Sequence, residues 1–116
     1  MKSVKELDVF KLAHEMALAI YKITKTFPEE EKFGLTSQMR RAAYSVPMNL
    51  VEGANRLNTK EYRRFVGIAR ASAAEVEYQL LLARDLNYID EDTYENSRSS
   101  YDRICQMLTG LAKSLK

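Results

Sequence analysis

Residues 90–115 read DEDTYENSRSSYDRICQMLTGLAKSL, and their spacing decides the fold. Tyr94, Ser97, Tyr101, Ile104, Leu108, Leu111 and Leu115 alternate intervals of three and four, which is a heptad seam on one side of a helix. Asp90 precedes the pattern, where a carboxylate can accept from the first free backbone N–H groups. Three earlier segments repeat the signal. Residues 59–87 place Tyr62, Phe65, Ala69, Ala73, Val76, Leu80 and Ala83 on one line. Residues 35–52 do the same with Leu35, Met39, Ala42, Val46 and Leu50; the line continues across Pro47, so a kink is expected there and not an end. Residues 7–26 carry Ala13, Met16, Ile20, Ile23 and Phe27, and a second apolar line through Leu7, Phe10, Ala17 and Tyr21. A helix apolar on two sides is expected to be covered on two sides.

Breakers separate these segments. Phe27-Pro28 leads into Glu29, Glu30 and Glu31; Gly53 reads as a helix C-cap; Asn58 and Glu61 form a capping-box pattern. Four helices with short connections predict an all-α, up-and-down antiparallel four-helix bundle, with residues 1–116 as a single domain. Composition agrees: four Gly and two Pro are few for a strand-and-turn fold of 116 residues. With 46% apolar and 29% charged residues the chain is neither disordered nor low in complexity. A single Cys and a single His exclude a disulfide framework and a Cys/His metal cluster within one chain, and no metal or cofactor is expected. Met1 to Lys11 holds no apolar run of signal-peptide length and no stretch is long enough to span a membrane, so the expected place is the cytoplasm and no membrane partner is expected.

Two patterns point toward function. On the second helix Gln38, Arg41, Ser45, Asn49 and Glu52 recur on one side, and the third helix has a matching set of Ser72, Glu75 and Gln79. A solvated surface would give such a stripe. So would a buried network between helices or subunits, with Arg41 facing Glu75. Ser, Asn and Gln are poorer helix formers than the Lys and Glu of ordinary solvated faces, which favours hydrogen bonds that need them. All five positions on the second helix are then expected to be more buried than other polar residues, and Asn49→Ala or Glu52→Ala to cost folding or assembly. The second pattern is charge. Between Gly34 and Ala74 stand Arg40, Arg41, Arg56, Lys60, Arg63, Arg64 and Arg70, seven basic residues against Glu52 and Glu61, a local +5 in a chain of net charge +2. Arg56, Lys60, Arg63 and Arg64 gather at one helix junction around Tyr62. A basic patch with an interleaved aromatic suits nucleic acid, so Arg40, Arg56, Lys60, Arg63, Arg64 and Arg70 are the candidate contacts. A solvated face with intrahelical ion pairs is the other reading.

Catalytic chemistry finds no foothold. Lys11 stands three residues before His14, so the Glu-x-x-His of di-iron bundles is absent, and no Arg precedes His14 as the HEPN-type bundle ribonucleases require. His14 is expected to be partly buried and hydrogen-bonded, and Cys105 to be a small buried hydrophobe. There is no Gly-rich phosphate loop.

The run Gly34-Leu35-Thr36-Ser37-Gln38-Met39-Arg40-Arg41-Ala42-Ala43, followed by Ser45-Val46-Pro47-Met48-Asn49-Leu50-Val51-Glu52-Gly53, resembles the signature of the 23S rRNA intervening-sequence proteins. Ala13-His14, Tyr21, Phe27-Pro28 with Glu31, Ala69 through Glu75 and Gln79-Leu80 fit it too, and Phe10 departs where the family often has Trp. The resemblance implies a four-helix bundle assembled into a ring-like pentamer and implies no enzymatic activity. The chain is similar also to the accessory variability protein of diversity-generating retroelements, a basic pentamer thought to bind nucleic acid and a reverse transcriptase. The expected partners are thus further copies of the chain, RNA or another nucleic acid, and a partner protein; a scaffold that binds protein alone is the alternative.

Overall fold

In the computed structural model, residues 3–115 are described; Met1, Lys2 and Lys116 of the expected domain lie outside the described residues. Helix α1 spans Asp8–Thr24, α2 Leu35–Ala54, α3 Thr59–Asp85 and α4 Glu91–Ser114, with one-turn 3-10 segments at Val4–Glu6 and Glu29–Glu31. Each helix packs on its neighbours in sequence and α1 closes against α4, giving an all-α four-helix bundle of 43 × 25 × 19 Å. Cross-helix contacts such as Ser45 with Ser72 and Arg63 with Leu115 show that α2, α3 and α4 alternate in direction.

The helix ends follow from local hydrogen bonds. Asn58 Oδ1 accepts the Glu61 N–H at 2.8 Å, and Asp90 Oδ1 accepts the Thr93 N–H at 2.8 Å. That backbone bond from Thr93 holds the Asp90 carboxyl below its ordinary range. Helix α3 stops two residues short of the expected 87. There Asn87 takes the left-handed conformation, φ 64°, and the N–H groups of Tyr88 and Asn87 reach back to the carbonyls of Ala83 and Arg84 at 2.8 and 2.9 Å. Helix α1 stops at Thr24, where the N–H groups of Lys25 and Phe27 tighten onto Lys22 and Thr24 just before Pro28.

At the start of α2 the N-cap position is Gly34, which has no side chain to offer. Glu31 serves in its place. Its Oε1 accepts the Leu35 N–H at 3.0 Å and its Oε2 accepts the Tyr88 hydroxyl at 2.9 Å. Phe27 packs on the Tyr88 ring, centroids 5.2 Å apart. One carboxylate therefore ties the α1–α2 connection to the α3–α4 connection.

Helix α2 continues through Pro47 and past Gly53 to Ala54, so Gly53 is not the C-cap its residue type suggested. Its role is spatial. A Cβ at Gly53 would lie 2.7 Å from Phe65 Cβ and 3.2 Å from the Tyr62 carbonyl oxygen, so α3 crosses α2 where α2 presents bare backbone. The core is built from the expected lines: Met39, Val46, Leu50, Ala69, Ala73, Val76, Leu80, Tyr101, Ile104 and Leu108 are sealed from solvent. In the second line of α1, Ala17 is buried and Leu7 and Phe10 are half-buried, but Tyr21 is exposed; one chain does not cover it.

Two buried polar atoms, the Tyr101 hydroxyl and Gln79 Oε1, have no hydrogen-bond partner among the described residues. Burial pushes the Tyr101 phenol far above its ordinary pKa.

Gly53→Ala should lower stability in urea unfolding by up to about 2 kcal/mol, because overpacking by about 1–3 kcal/mol outweighs the helix preference of Ala. Gly67→Ala and Gly110→Ala, whose added Cβ meets nothing within 4 Å, should instead raise it by up to about 1 kcal/mol. Tyr101→Phe should match or exceed the parent at pH 8, since it deletes an unpaired buried hydroxyl. A raised folded-state phenol pKa stabilises fully below about pH 10 and is lost as pH climbs through the folded value. The parent should therefore weaken above about pH 10, and Tyr101→Phe should weaken less. Some loss should persist, because burial raises Tyr62 and the bond to Glu31 raises Tyr88.

Candidate nucleic-acid interface and polar stripe

Angle around α2 accounts for part of the polar stripe. At 3.6 residues per turn, Gln38, Ser45 and Asn49 fall nearest the Ala42–Val46 core line, while Arg41 and Glu52 fall further round toward solvent. Ser45 and Asn49 are accordingly half-buried and Arg41 and Glu52 exposed; Gln38, on the first turn of the helix, is exposed despite its angle. Ser45 Oγ meets Ser72 Oγ across the α2–α3 contact at 2.9 Å, and Asn49 Nδ2 donates to the Ser45 carbonyl and hydroxyl at 2.8 and 2.9 Å. The buried network thus holds three residues and not all that were expected. Gln38, Arg41, Ser45, Ser72 and Glu75 share one polar groove of about 270 Å³ with Tyr44 and Met48. Arg41 and Glu75 face that groove as anticipated, yet form no ion pair with each other or with any other described residue. Gln79 is buried apart from it. Glu52 instead pairs with Arg56 at 3.6 Å, with both side chains open to solvent.

The basic residues separate into three places. At the α2–α3 junction, Arg56 and Arg64 both lie over the Phe65 ring, 4.7 and 4.6 Å from its centroid, and Arg64 pairs with Glu61 at 3.2 Å. The hydrogen bond from Arg64, helped by the charges of Arg56 and Lys60, holds the Glu61 carboxyl below its ordinary range. This junction is therefore largely compensated, and its engaged aromatic is Phe65; Tyr62 is half-buried against Gly53. Lys60 is exposed on the first turn of α3.

Arg63 and Arg70 turn the other way, onto α4. Arg63 Nη1 donates to the Leu115 carbonyl at 2.9 Å, and Arg70 Nε donates to Thr109 Oγ1 at 2.8 Å. With Thr109, Ala112 and Lys113 they line a shallow groove of about 550 Å³ that includes no carboxylate among the described residues. Lys113 was not singled out by sequence reasoning, because only the antiparallel α3–α4 register brings it beside Arg63 and Arg70. Arg40 lies elsewhere. Its Nε donates to Thr24 Oγ1 at 2.9 Å, its Nη2 to the Tyr21 carbonyl at 3.4 Å, and its guanidinium lies 4.7 Å from the Tyr21 ring, so it bolts α1 to α2.

The two residues weighed for chemistry offer none. His14 is exposed, with its ring stacked parallel to Phe10 at 6.3 Å; the expected burial fails because position 14 falls outside the Ala13–Ala17 core line. Cys105 is buried as anticipated, and desolvation, reinforced by the Glu77 charge, pushes its thiol up and away from reactivity. Among the described residues no group of three or more His, Cys, Asp or Glu could hold a metal ion, and no helix is long and apolar enough to cross a membrane.

Residues 5–110 match the 23S rRNA-intervening sequence protein family, whose span takes in the bundle from before α1 into the last turns of α4. The chain belongs to that family. A crystal structure of a protein of unknown function from the S23 ribosomal protein family of Bacteroides thetaiotaomicron superposes on it with a TM-score of 0.81. That protein is 26% identical, and the match covers 90% of this chain and 98% of the other. No curated protein matches. The stripe and the two grooves described above are therefore features of a 23S rRNA-intervening sequence protein whose solved relative carries no stated activity.

Asn49→Ala should lower stability in urea unfolding by about 1 kcal/mol, since Asn49 makes two half-buried hydrogen bonds to Ser45. Glu52→Ala should stay within about 0.5 kcal/mol of the parent, because it removes only an exposed ion pair.

Proposed function

We propose that the chain is a non-enzymatic subunit of a homo-oligomer, a pentamer as the family resemblance implies, that binds RNA or another nucleic acid through the α3–α4 groove. The groove of Arg63, Arg70 and Lys113, without a carboxylate among its described lining residues, carries this reading. Arg63 and Arg70 are seven residues apart on one helix, which spaces them about 10 Å along its axis. Each uses one guanidinium nitrogen to anchor itself to α4, and its remaining donors are free for phosphate. The anchoring fixes the side chains before a ligand arrives and so lowers the entropy lost on binding. A modest patch gains by repetition, because several copies on one assembly can engage one strand together. Self-association is supported by large apolar side chains that the single chain leaves open on its helices, Leu18, Met48 and Tyr78, each more than half exposed.

The test is filter binding of a structured RNA across a salt series, with light scattering on the same samples. Affinity should fall steeply with salt. The combined change Arg63→Glu, Arg70→Glu and Lys113→Glu should weaken binding and lower the log–log salt slope by about two to three units. The variant should retain the parent's assembly mass, several times the 13.4 kDa of one chain. No binding at low salt by an intact oligomer would favour the protein-interaction scaffold instead.

A further inference from the structure

At the opposite end of the bundle, between α1 and the start of α2, three aromatic rings and three cations surround a groove of about 460 Å³. The rings are Tyr21, Phe33 and Tyr44; the cations are Lys32, Arg40 and Arg41; no carboxylate is among the lining residues. Tyr21 and Tyr44 are each 39% exposed and Phe33 is 88% exposed. Single exposed apolar residues are ordinary, but rings interleaved with cations around one depression form a distinct chemical surface.

Phe33 does not sit on a slack loop. The Gly34 N–H returns to the Glu31 carbonyl at 3.0 Å, and the Glu31 carboxylate holds the Leu35 N–H at 3.0 Å, so bonds flank Phe33 on both sides. A Cβ at Gly34 would approach Glu31 Oε1 to 2.9 Å, so this turn favours glycine beside the displayed ring. Lys32 Nζ lies 5.6 Å from the Phe33 centroid. Arg40 is locked under Tyr21, while Arg41 has no hydrogen-bond or ion-pair partner among the described residues and stays available. Of the acids of the turn, Glu31 is occupied by Leu35 and Tyr88, Glu30 bears on Tyr88, and Glu29 lines the adjoining depression with Lys32 and Arg40.

We infer that this groove binds an unpaired stretch of nucleic acid, with bases stacking on Phe33 and Tyr44 and phosphates meeting Lys32 and Arg41. Stacked bases are shut inside a duplex, so a site built on open ring faces selects single strands. The inference rests on the nucleic-acid reading above and adds the strand state of the ligand and a second point of contact. It favours nucleic acid over an acidic peptide because cations alone would serve the peptide, and the open rings of Phe33 and Tyr44 would then have no role.

The chain contains no Trp, so Phe33→Trp installs a single reporter at the site. Its emission should be quenched by an unpaired 12-nucleotide RNA, and not by a blunt RNA hairpin stem or a poly-glutamate peptide. The same strand made as DNA distinguishes the sources: equal quenching assigns single strands of either sugar, and quenching by RNA alone assigns RNA. Phe33→Ala and Tyr44→Ala should each weaken single-strand binding by about 5- to 100-fold. Phe33→Leu, which keeps an apolar side chain and removes the ring, should lose as much. Exposed Phe33 leaves the fold unaffected, which matching thermal melts check. Absence of quenching, equal binding of poly-glutamate, or unchanged affinity in Phe33→Ala and Tyr44→Ala would overturn the proposal. If duplex RNA binds through Arg63, Arg70 and Lys113 with no change in emission, this proposal falls and the α3–α4 reading stands. If emission is quenched and reversing those three charges changes nothing, the α3–α4 reading falls and this one stands.

Discussion

The crossing of α3 over Gly53 is the constraint from which the rest of the arrangement is built. A backbone without a side chain lets Phe65 Cβ approach to a distance that any Cβ would forbid. That contact fixes the separation and the antiparallel register of α2 and α3 together. From the register come the pairing of Ser45 with Ser72 two turns further on and the position of Phe65 under two guanidinium groups. Helix α3 then presents Arg63 and Arg70 away from α2, toward the last turns of α4.

The bundle itself was legible because its information is periodic. Spacings of three and four in four segments, with Asn58 and Asp90 as caps, require only local geometry to interpret. The misreadings have two sources: partners distant in sequence, and position on a helix. Gly53 carries the same glycine whether it ends a helix or admits a neighbour, and only Phe65 distinguishes the two. The stripe was visible, but its gradient of burial depends on where the core line of α2 falls, which leaves Arg41 and Glu52 outside, and on where the helix begins, which leaves Gln38 exposed on its first turn. His14 adjoins a core residue in sequence and still points to solvent, because adjacent residues on a helix diverge by about a quarter turn.

Charge shows the same division. A window from residue 34 to residue 74 contains a marked excess of Arg, yet a count cannot assign partners. In the folded chain Arg56 and Arg64 answer Glu52 and Glu61, Arg40 bonds across to α1, and Arg63 and Arg70 combine with Lys113 from beyond the window. Grooves lined by cations with no carboxylate among their described lining residues therefore lie at two places, while at the junction Arg56 and Arg64 are paired. Exposed pairs such as Glu61 with Arg64 add little to stability, but they lower the local potential and so decide which surfaces attract anions.

The carboxylate of Glu31 has a mechanical consequence. By accepting from Leu35 and Tyr88 at once it clamps the two connections at one end of the rod. At the other end the close crossing of Phe65 over Gly53 and the bond from Arg63 to the Leu115 carbonyl hold the helices instead. The rod is thus pinned at both poles by different means, a shared carboxylate at one and bare backbone at the other. The aromatic groove sits beside the carboxylate clasp. The α3–α4 groove opens near the backbone crossing, where its two arginines are already anchored to α4.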